Sequence, residues 1–272
     1  MDATVELAPR QLILSLYGLY ARSGGAWLSV ASLIALMAEL GVDGAAVRSS
    51  VSRLKRRGVL EAVRHDGRAG YALSDEALEV LREGDTRIWS RPRATPGDGW
   101  LVVVFSVPET EREKRHALRS TLARLGFGTA APGVWVAPGI AYDETARALR
   151  RQGLSSYTEF FRGSYLGSGD VASRMREWWD LDELEKLYDA FRIAWEPALS
   201  MPRRPDPRAA FATYVPMLTD WRRLPYLDPG LPLEHLPPDW AGIRAGEVFA
   251  TLDRRLRERA ADFAMPVVHG EV

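Results

Sequence analysis

Arginine and serine recur together in one short stretch of the chain, in a pattern that suits contact with nucleic acid. At about 100° per residue, one face of a helix through this stretch collects Arg48, Ser49, Ser52, Arg53 and Arg56. The opposite face carries Val47, Val51 and Leu54, which would hold the helix on a core. Arginine can fork onto guanine or phosphate, and serine can donate or accept a hydrogen bond close to a groove floor. The stretch therefore predicts a helix that contacts double-stranded DNA.

Positive charge is concentrated around this helix, although the whole chain is neutral. Residues 44–68 contain seven basic and two acidic side chains, whereas the complete sequence has 36 of each and a formal net charge of +0. Two of the seven, Arg64 and Arg68, lie beyond the helix in a predicted hairpin, where they would reach phosphate or the minor groove. A solvated basic helix is the plain alternative. The occurrence of two basic clusters on adjoining elements favours DNA binding.

Most other site chemistries find no support in the residues. The sequence has no cysteine, which excludes disulfides, thiolate zinc sites, iron–sulfur clusters and a cysteine nucleophile. Its four histidines are scattered without metal-ligand spacing, and neither a P-loop nor a G-x-S-x-G elbow occurs. We therefore expect no catalytic residue, no metal and no cofactor, in a protein that is not an enzyme.

Targeting and membrane signals are also missing from the sequence. No apolar run approaches the ~18 residues that a membrane-spanning helix needs. The N-terminus lacks the basic-then-apolar pattern of a secretory signal. We expect a cytoplasmic protein without membrane contact.

The elements predicted around the basic helix follow the order helix, helix, helix, hairpin, helix. The first helix begins at Pro9, which suits a first helical position. Ser29, Asp43 and Ser74 are the N-caps predicted for the other three. Two strands flank a hairpin tip at residues 65–70. This order is typical of a winged helix-turn-helix, in which the third helix enters the major groove.

Composition breaks divide the chain into three predicted domains, and the fold class is α+β. Residues 1–92 form the winged helix-turn-helix DNA-binding domain. Residues 93–168 run strand, helix, strand, helix, strand, which predicts a ferredoxin-like α/β domain used for dimerisation. Residues 169–272 form a helical C-terminal domain with possible effector binding, beginning with a single helix from Val171 to about Trp195.

Several stretches resemble the PaaX family of bacterial transcriptional regulators, named for control of phenylacetate catabolism. They are the basic helix and the residues after it, the Phe-Gly and Pro-Gly-Val-Trp segments, and a Pro-studded stretch near the C-terminus: 47–60, 71–74, 126–128 with 131–135, and 226–232 with 236–237 and 240–242. The last of these, with its Tyr-Leu-Asp-Pro-Gly-Leu-Pro core, is the most specific. The resemblance covers nearly the whole chain.

The resemblance implies a homodimeric repressor of a catabolic operon for phenylacetate or a related aromatic acid. Its implied partners are a double-stranded DNA operator and an acyl-CoA effector such as phenylacetyl-CoA, which would release the DNA. The effector-binding residues stay unknown. Trp178, Trp179, Tyr188 and Trp195 could stack an aromatic ligand, but at helical spacing they more often belong to a core or an interface.

Two enzyme interpretations are the alternatives. The central domain also resembles the small ferredoxin-like nucleases of CRISPR adaptation, which hold a metal through an acidic residue at the end of the first strand. Here Ser106 follows that strand and the first carboxylate is Glu109, which disfavours metal-dependent cleavage. The second interpretation is an acyl-CoA or nucleotide enzyme, because residues 167–172 match G-x-G-x-x-A. A dinucleotide fold would need another strand with a ribose-binding carboxylate after this motif, whereas a long helix is predicted there.

Overall fold

The computed structural model describes residues 7–90, 93–167 and 170–271, without the side chain of Ser23. These residues group into two compact units. The first unit comprises Met1–Trp89, Ala190–Arg222 and Arg244–Val272, and the second comprises Ser90–Asp189 and Arg223–Ile243. The predicted domain boundaries fall at Pro92 and Ser168, which lie outside the described residues, as does the centre of the G-x-G match. The three-domain division therefore stays a prediction.

The protein is mixed α and β, as predicted, with two antiparallel sheets. Its helices and strands, in chain order, are α1 (Pro9–Leu16), β1 (Trp27–Ser29), α2 (Val30–Glu39), α3 (Gly44–Arg56), β2 (Leu60–His65), β3 (Arg68–Leu73), α4 (Asp75–Asp85), β4 (Trp100–Phe105), α5 (Arg112–Arg124), β5 (Gly128–Ala131), β6 (Val134–Pro138), α6 (Tyr142–Arg151), β7 (Thr158–Gly163), α7 (Val171–Trp178), α8 (Leu181–Trp195), α9 (Pro207–Trp221), α10 (Leu224–Leu227) and α11 (Ala241–His269). None of the described helices combines the length and apolarity that crossing a membrane requires.

Local capping chemistry sets the helix starts in the first unit, and the three predicted N-caps are confirmed. The Ser29 hydroxyl accepts a hydrogen bond from the Ser32 amide at 2.9 Å, at the start of α2. Asp43 does the same for α3 and Ser74 for α4. Each cap satisfies amides that the first helical turn leaves without an intrahelical partner.

The small sheet of the first unit has the order β1-β3-β2, and its hairpin closes through a two-residue turn. Asp66 and Gly67 both have positive φ, 49° and 76°. Such left-handed pairs form the type I′ turn that matches the twist of two paired strands. The predicted tip at residues 65–70 is thus tighter than expected, because His65 and Arg68 already pair across the strands.

The C-terminal helices α9 and α11 pack within the same unit as the N-terminal elements. In the buried core, the Thr219 hydroxyl donates to the Ser15 hydroxyl at 2.7 Å. The Ser32 hydroxyl of α2 donates to the backbone carbonyl of Val267 near the end of α11 at 2.8 Å. The helix–strand assembly predicted to bind DNA therefore includes residues more than 200 positions away in sequence.

The larger sheet, in the second unit, has the order β5-β6-β4-β7, with α5 and α6 packed on one face. Its elements follow each other along the chain as β, α, β, β, α, β. Leu101, Val103 and Trp135 on the sheet form the core with Leu122 of α5 and Ala148 of α6. This is the predicted alternation of strands and helices with one further strand, β5.

The strand β5 was missed because its sequence, Gly-Thr-Ala-Ala, is poor in the β-branched and aromatic residues typical of strands. Glycine at position 128 is needed for close packing: a Cβ there would lie 2.7 Å from the Trp178 carbonyl oxygen and 2.7 Å from the Trp179 ring. Trp178 and Trp179 in turn contact Trp100 of β4, with ring centroids 5.7 Å and 6.1 Å apart. Local propensity predicts a turn at Gly128. Tertiary packing explains why a glycine lies within a strand at this position.

The predicted single helix from Val171 to Trp195 is wrong, because the chain breaks at Trp179 between α7 and α8. Trp179 has extended backbone angles, φ −128° and ψ 144°. Its indole NH donates to the Gly126 carbonyl at 2.8 Å, and the Asp180 carboxylate accepts from the Glu183 amide at 2.9 Å. A docked indole and a new N-cap together favour two helices over one continuous apolar stripe.

The Pro-studded stretch at residues 226–232 is held by a buried ion pair. The Asp228 carboxylate accepts from the Arg93 guanidinium at 2.6 Å and from the Tyr188 hydroxyl at 2.9 Å. It also accepts from the Gly230 amide at 2.8 Å, and the Gly230 carbonyl accepts from the Ala94 amide at 2.9 Å. The Asp228 side chain is 4% exposed. This network joins both ends of the segment Ser90–Asp189, at Arg93 and Tyr188, to the segment Arg223–Ile243.

Candidate nucleic-acid interface

The helix α3 is the element that presents the predicted DNA-contacting side chains. Its start is capped by Asp43, whose carboxylate accepts from the amides of Ala45 and Ala46 at 2.8 and 2.9 Å. These two hydrogen bonds hold the pKa of the Asp43 carboxyl below its ordinary value. One face of the helix is buried through the three residues that the periodicity selects: Val47, Val51 and Leu54.

The opposite face of α3 is solvent-exposed along its whole length. It carries the five side chains selected from the sequence: Arg48, Ser49, Ser52, Arg53 and Arg56. The Arg53 guanidinium donates to the Ser49 hydroxyl at 3.0 Å, one turn earlier on the helix. Within the described residues, none of the three arginines has an acidic oxygen within 4 Å, so their charge is not neutralised by an ion pair. We call this face, defined by these five residues, the α3 basic face.

The hairpin β2–β3 carries the other two predicted contacts, both exposed. The Arg64 guanidinium donates to the Gly67 carbonyl at 2.7 Å, so it lies along the turn. The Arg68 guanidinium lies 5.7 Å from the Trp27 ring centroid and donates to the His269 carbonyl at 3.4 Å. The last turn of α11 therefore orients one of the two hairpin arginines.

A tryptophan on β1 contacts the hairpin through a hydrogen bond and a ring contact on β2. The Trp27 indole NH donates to the Val63 carbonyl at 3.1 Å, and its ring lies 5.4 Å from the His65 ring. Glycine at position 70 permits this approach, because a Cβ there would lie 2.4 Å from the Trp27 ring and from the Leu28 carbonyl oxygen. Trp27 thus ties the hairpin to β1.

A lysine links α3 to the sheet and was not singled out from the sequence as a site residue. The Lys55 ammonium lies 5.7 Å from the Tyr71 ring centroid, on β3. Lys55 and Arg57 are both exposed and add to the positive charge around the α3 basic face. Their signal in the sequence is the local charge excess, which does not tell which of the basic residues point outward.

The aromatic residues considered for an effector site have other partners. The Trp195 indole NH donates to the Asp220 carboxylate at 2.9 Å, and Trp178 and Trp179 contact Trp100 with ring centroids 5.7 Å and 6.1 Å apart. Tyr188 is fully buried and bonded to Asp228. In the described part of the chain, no group of three or more histidine, aspartate or glutamate side chains could hold a metal ion.

Comparison with known proteins gives concordant matches over most of the chain. Three family models match consecutive segments: a PaaX-like protein model over residues 8–77, the PaaX protein central Cas2-like domain over 93–175, and the PaaX-like protein C-terminal domain over 179–266. Among curated proteins, the transcriptional repressor PaaX of Escherichia coli (strain K12) is 27% identical over 268 residues, covering 95% of this chain and 84% of the repressor.

A solved structure shows a similar fold. It is the uncharacterized protein Rv0674 from Mycobacterium tuberculosis, which superposes with a TM-score of 0.56 at 24% sequence identity. The match covers 93% of this chain and 97% of the mycobacterial chain. Likeness at this level of identity concerns the fold alone.

Proposed function

The chain belongs to the PaaX family, and from this premise we propose that it is a DNA-binding transcriptional repressor rather than an enzyme. The observation that carries the proposal is the α3 basic face, whose arginines are exposed and not ion-paired within the described residues. Arginines in that state are available to phosphate and guanine without first breaking an intramolecular ion pair. A repressor acts on the chromosome, so the proposal also places the protein in the bacterial cytoplasm.

In this proposal the first unit contacts DNA as a winged helix-turn-helix. Helices α2 and α3 are joined by the short segment 40–43, and the β2–β3 hairpin follows α3 directly. We propose that α3 enters the major groove and that the hairpin, as the wing, reaches phosphate or the adjacent minor groove. The α3 basic face would then specify sequence, while Arg64 and Arg68 would mainly add affinity.

We further propose that the repressor acts as a homodimer through its ferredoxin-like central domain. A single winged head has a small footprint on DNA, and useful specificity calls for two half-sites related by a two-fold axis. The sheet of the second unit supports this role. Val104 and Phe161 are 37% and 58% exposed on the face opposite α5 and α6, which is apolar surface that a second copy would cover.

The proposed signal is an acyl-CoA, with phenylacetyl-CoA as the first ligand to test, and the proposed target is a catabolic operon for phenylacetate or a related aromatic acid. The resemblance of the sequence to the PaaX family is the basis of this assignment, and the relative named as a transcriptional repressor supports the repressor role alone. Such a ligand must bind the DNA-free form better than the bound form, since equal affinity for both would shift nothing. The nuclease alternative is not proposed, because Ser106 stands where a metal-binding carboxylate would be needed.

The test is selection of bound fragments from a genomic library with the full-length protein, followed by fluorescence anisotropy on the enriched site. We expect an inverted repeat to emerge. Arg53→Ala should weaken binding to it by about 1–3 kcal/mol, if the guanidinium forks onto guanine.

The matched control is Arg82→Ala, which removes an exposed arginine from a different helix, α4. We expect this variant to bind like the unmodified protein. The proposal fails if no sequence is enriched, or if the two variants bind the enriched site equally well.

A further inference from the structure

A half-open recess in the second unit combines cationic and apolar walls. Its cavity volume is about 520 Å³, within the ~300–1,000 Å³ range of small-molecule pockets. It lies where β4 ends, between α5 and the β5–β6 hairpin, and its main walls are Phe105, Val107, Arg115, Arg119, Pro132 and Trp135. The residues that line it include two arginines and no acidic side chain.

The two arginines lie one turn apart on α5 and so share a face of that helix. The Arg115 guanidinium donates to the Val107 carbonyl at 2.6 Å, which holds it at the edge of the recess with further donor groups to spare. Arg119 is exposed and, within the described residues, has no hydrogen-bond or ion-pair partner. Two positive charges with unused donors on one helix face favour an anion over a neutral ligand.

The base of the recess is apolar, which favours an anion that also carries an apolar group. Trp135 and Val107 are 7% and 4% exposed and belong to the packed core, so they form the base of the recess. Phe105 and Pro132 extend it with further apolar area. An inorganic anion would leave this surface uncovered, whereas a ring or alkyl body would bury it.

We propose that this recess binds an organic anion made of a carboxylate or phosphate head and an aromatic or aliphatic body. The head would pair with Arg119 and Arg115, and the body would lie on Trp135 and Phe105. The interpretation of this recess as the effector site rests on the proposed repressor function. The shared chemistry leaves two sources of the ligand, a free aryl carboxylate and an aryl acyl-CoA thioester.

The experiment is isothermal titration calorimetry on the full-length protein, without DNA, with phenylacetate, phenylacetyl-CoA, coenzyme A and inorganic phosphate. We expect one of the two aryl ligands to bind. Coenzyme A and inorganic phosphate, which lack the phenylacetyl group, should bind at least tenfold more weakly. Arg119→Gln should weaken the aryl ligand about tenfold or more, because it removes a charged hydrogen bond. Ala131→Phe, which fills the recess from β5, should weaken it as well.

Arg112→Gln is the matched control, since it removes an exposed charge from the same helix outside the recess. The proposal is overturned if no aryl ligand binds, if phosphate or coenzyme A binds as tightly as the aryl ligands, or if Arg119→Gln and Arg112→Gln behave alike. Anisotropy on the selected DNA separates this result from the proposed function. DNA binding with no aryl binding overturns the recess alone, and aryl binding that depends on Arg119, without DNA binding, overturns the repressor alone.

Discussion

Arginine serves opposite purposes in the α3 basic face and in the network around Asp228. On α3, Arg48, Arg53 and Arg56 are exposed and, in the described residues, not ion-paired. In the second unit, Arg93 is largely buried and pairs with Asp228 at 2.6 Å, with exposed side-chain fractions of 16% and 4%. A charge left in water is available to a ligand, whereas a charge paired in the interior is part of the architecture.

The most distinctive stretch of the sequence is not the surface proposed to bind DNA. The stretch around Asp228 is the most specific part of the family resemblance, yet its contacts are those of a structural fastening. The basic helix is a common pattern in sequences, and it is the surface we propose for DNA. A motif that identifies a family can therefore be one that holds the molecule together, because buried polar networks tolerate little substitution.

The largest effect should come from breaking the Asp228 network. Asp228→Ala would leave the Arg93 guanidinium and the Tyr188 hydroxyl without this buried partner, and we expect a loss of about 3–5 kcal/mol in unfolding free energy. Urea denaturation followed by circular dichroism measures it. Asp239→Ala, at an exposed position nearby in sequence, is the control and should change stability little. Equal stability of the two variants would contradict the structural role of Asp228.

A smaller effect, in both stability and DNA binding, should follow from Gly70→Ala. The added Cβ would meet the Trp27 ring and the Leu28 carbonyl at 2.4 Å, so the hairpin must shift. We expect a cost of about 1–3 kcal/mol in unfolding free energy, as in other overpacked cores, together with weaker DNA binding. Gly24→Ala is the control, because its Cβ would have no neighbour within 4 Å. Unchanged thermal melting of Gly70→Ala would show that the hairpin is not clamped by Trp27.

Arg68→Ala removes an arginine that is exposed but also contacts the Trp27 ring and the His269 carbonyl. We expect a uniform loss of affinity for selected and unrelated DNA, because a phosphate contact carries no sequence information. The magnitude of the slope of log affinity against log salt concentration should decrease by about 1, which corresponds to one phosphate contact. Anisotropy at several salt concentrations tests this, with Arg82→Ala as control. A loss restricted to the selected sequence would instead make Arg68 a base-reading residue.

The smallest expected effect concerns the cap of α3. Hydrogen bonds from Ala46 and Ala45 lower the pKa of Asp43, so its ionised form stabilises the folded protein at neutral pH. That contribution is lost as the pH falls through the lowered pKa. Asp43→Asn keeps a capping acceptor that does not titrate. The difference in melting temperature between the two proteins should shrink as the pH falls from 7 towards 3. A difference that stays constant over this range would exclude the linkage.

Much of the first unit could be predicted from the sequence, because its signals are local. The caps at Ser29, Asp43 and Ser74 and the burial of Val47, Val51 and Leu54 depend on residues within one or two helical turns. The two misjudged elements depend on distant partners. Strand β5 needs the close approach of Trp178 and Trp179 to Gly128, and the break before α8 needs the Trp179 indole to reach Gly126.

The sequence by itself determined the basic helix, its exposed face, the elements that carry it and the family to which the chain belongs. Only the tertiary structure decided that Asp228 forms an ion pair with Arg93, that the His269 carbonyl orients Arg68, and that α9 and α11 belong to the unit with α3. The physical reason is the sequence separation over which each kind of interaction acts. Capping and amphipathic periodicity act over three or four residues. These contacts join positions 135 to 235 residues apart, and whether such positions meet depends on how the whole chain packs.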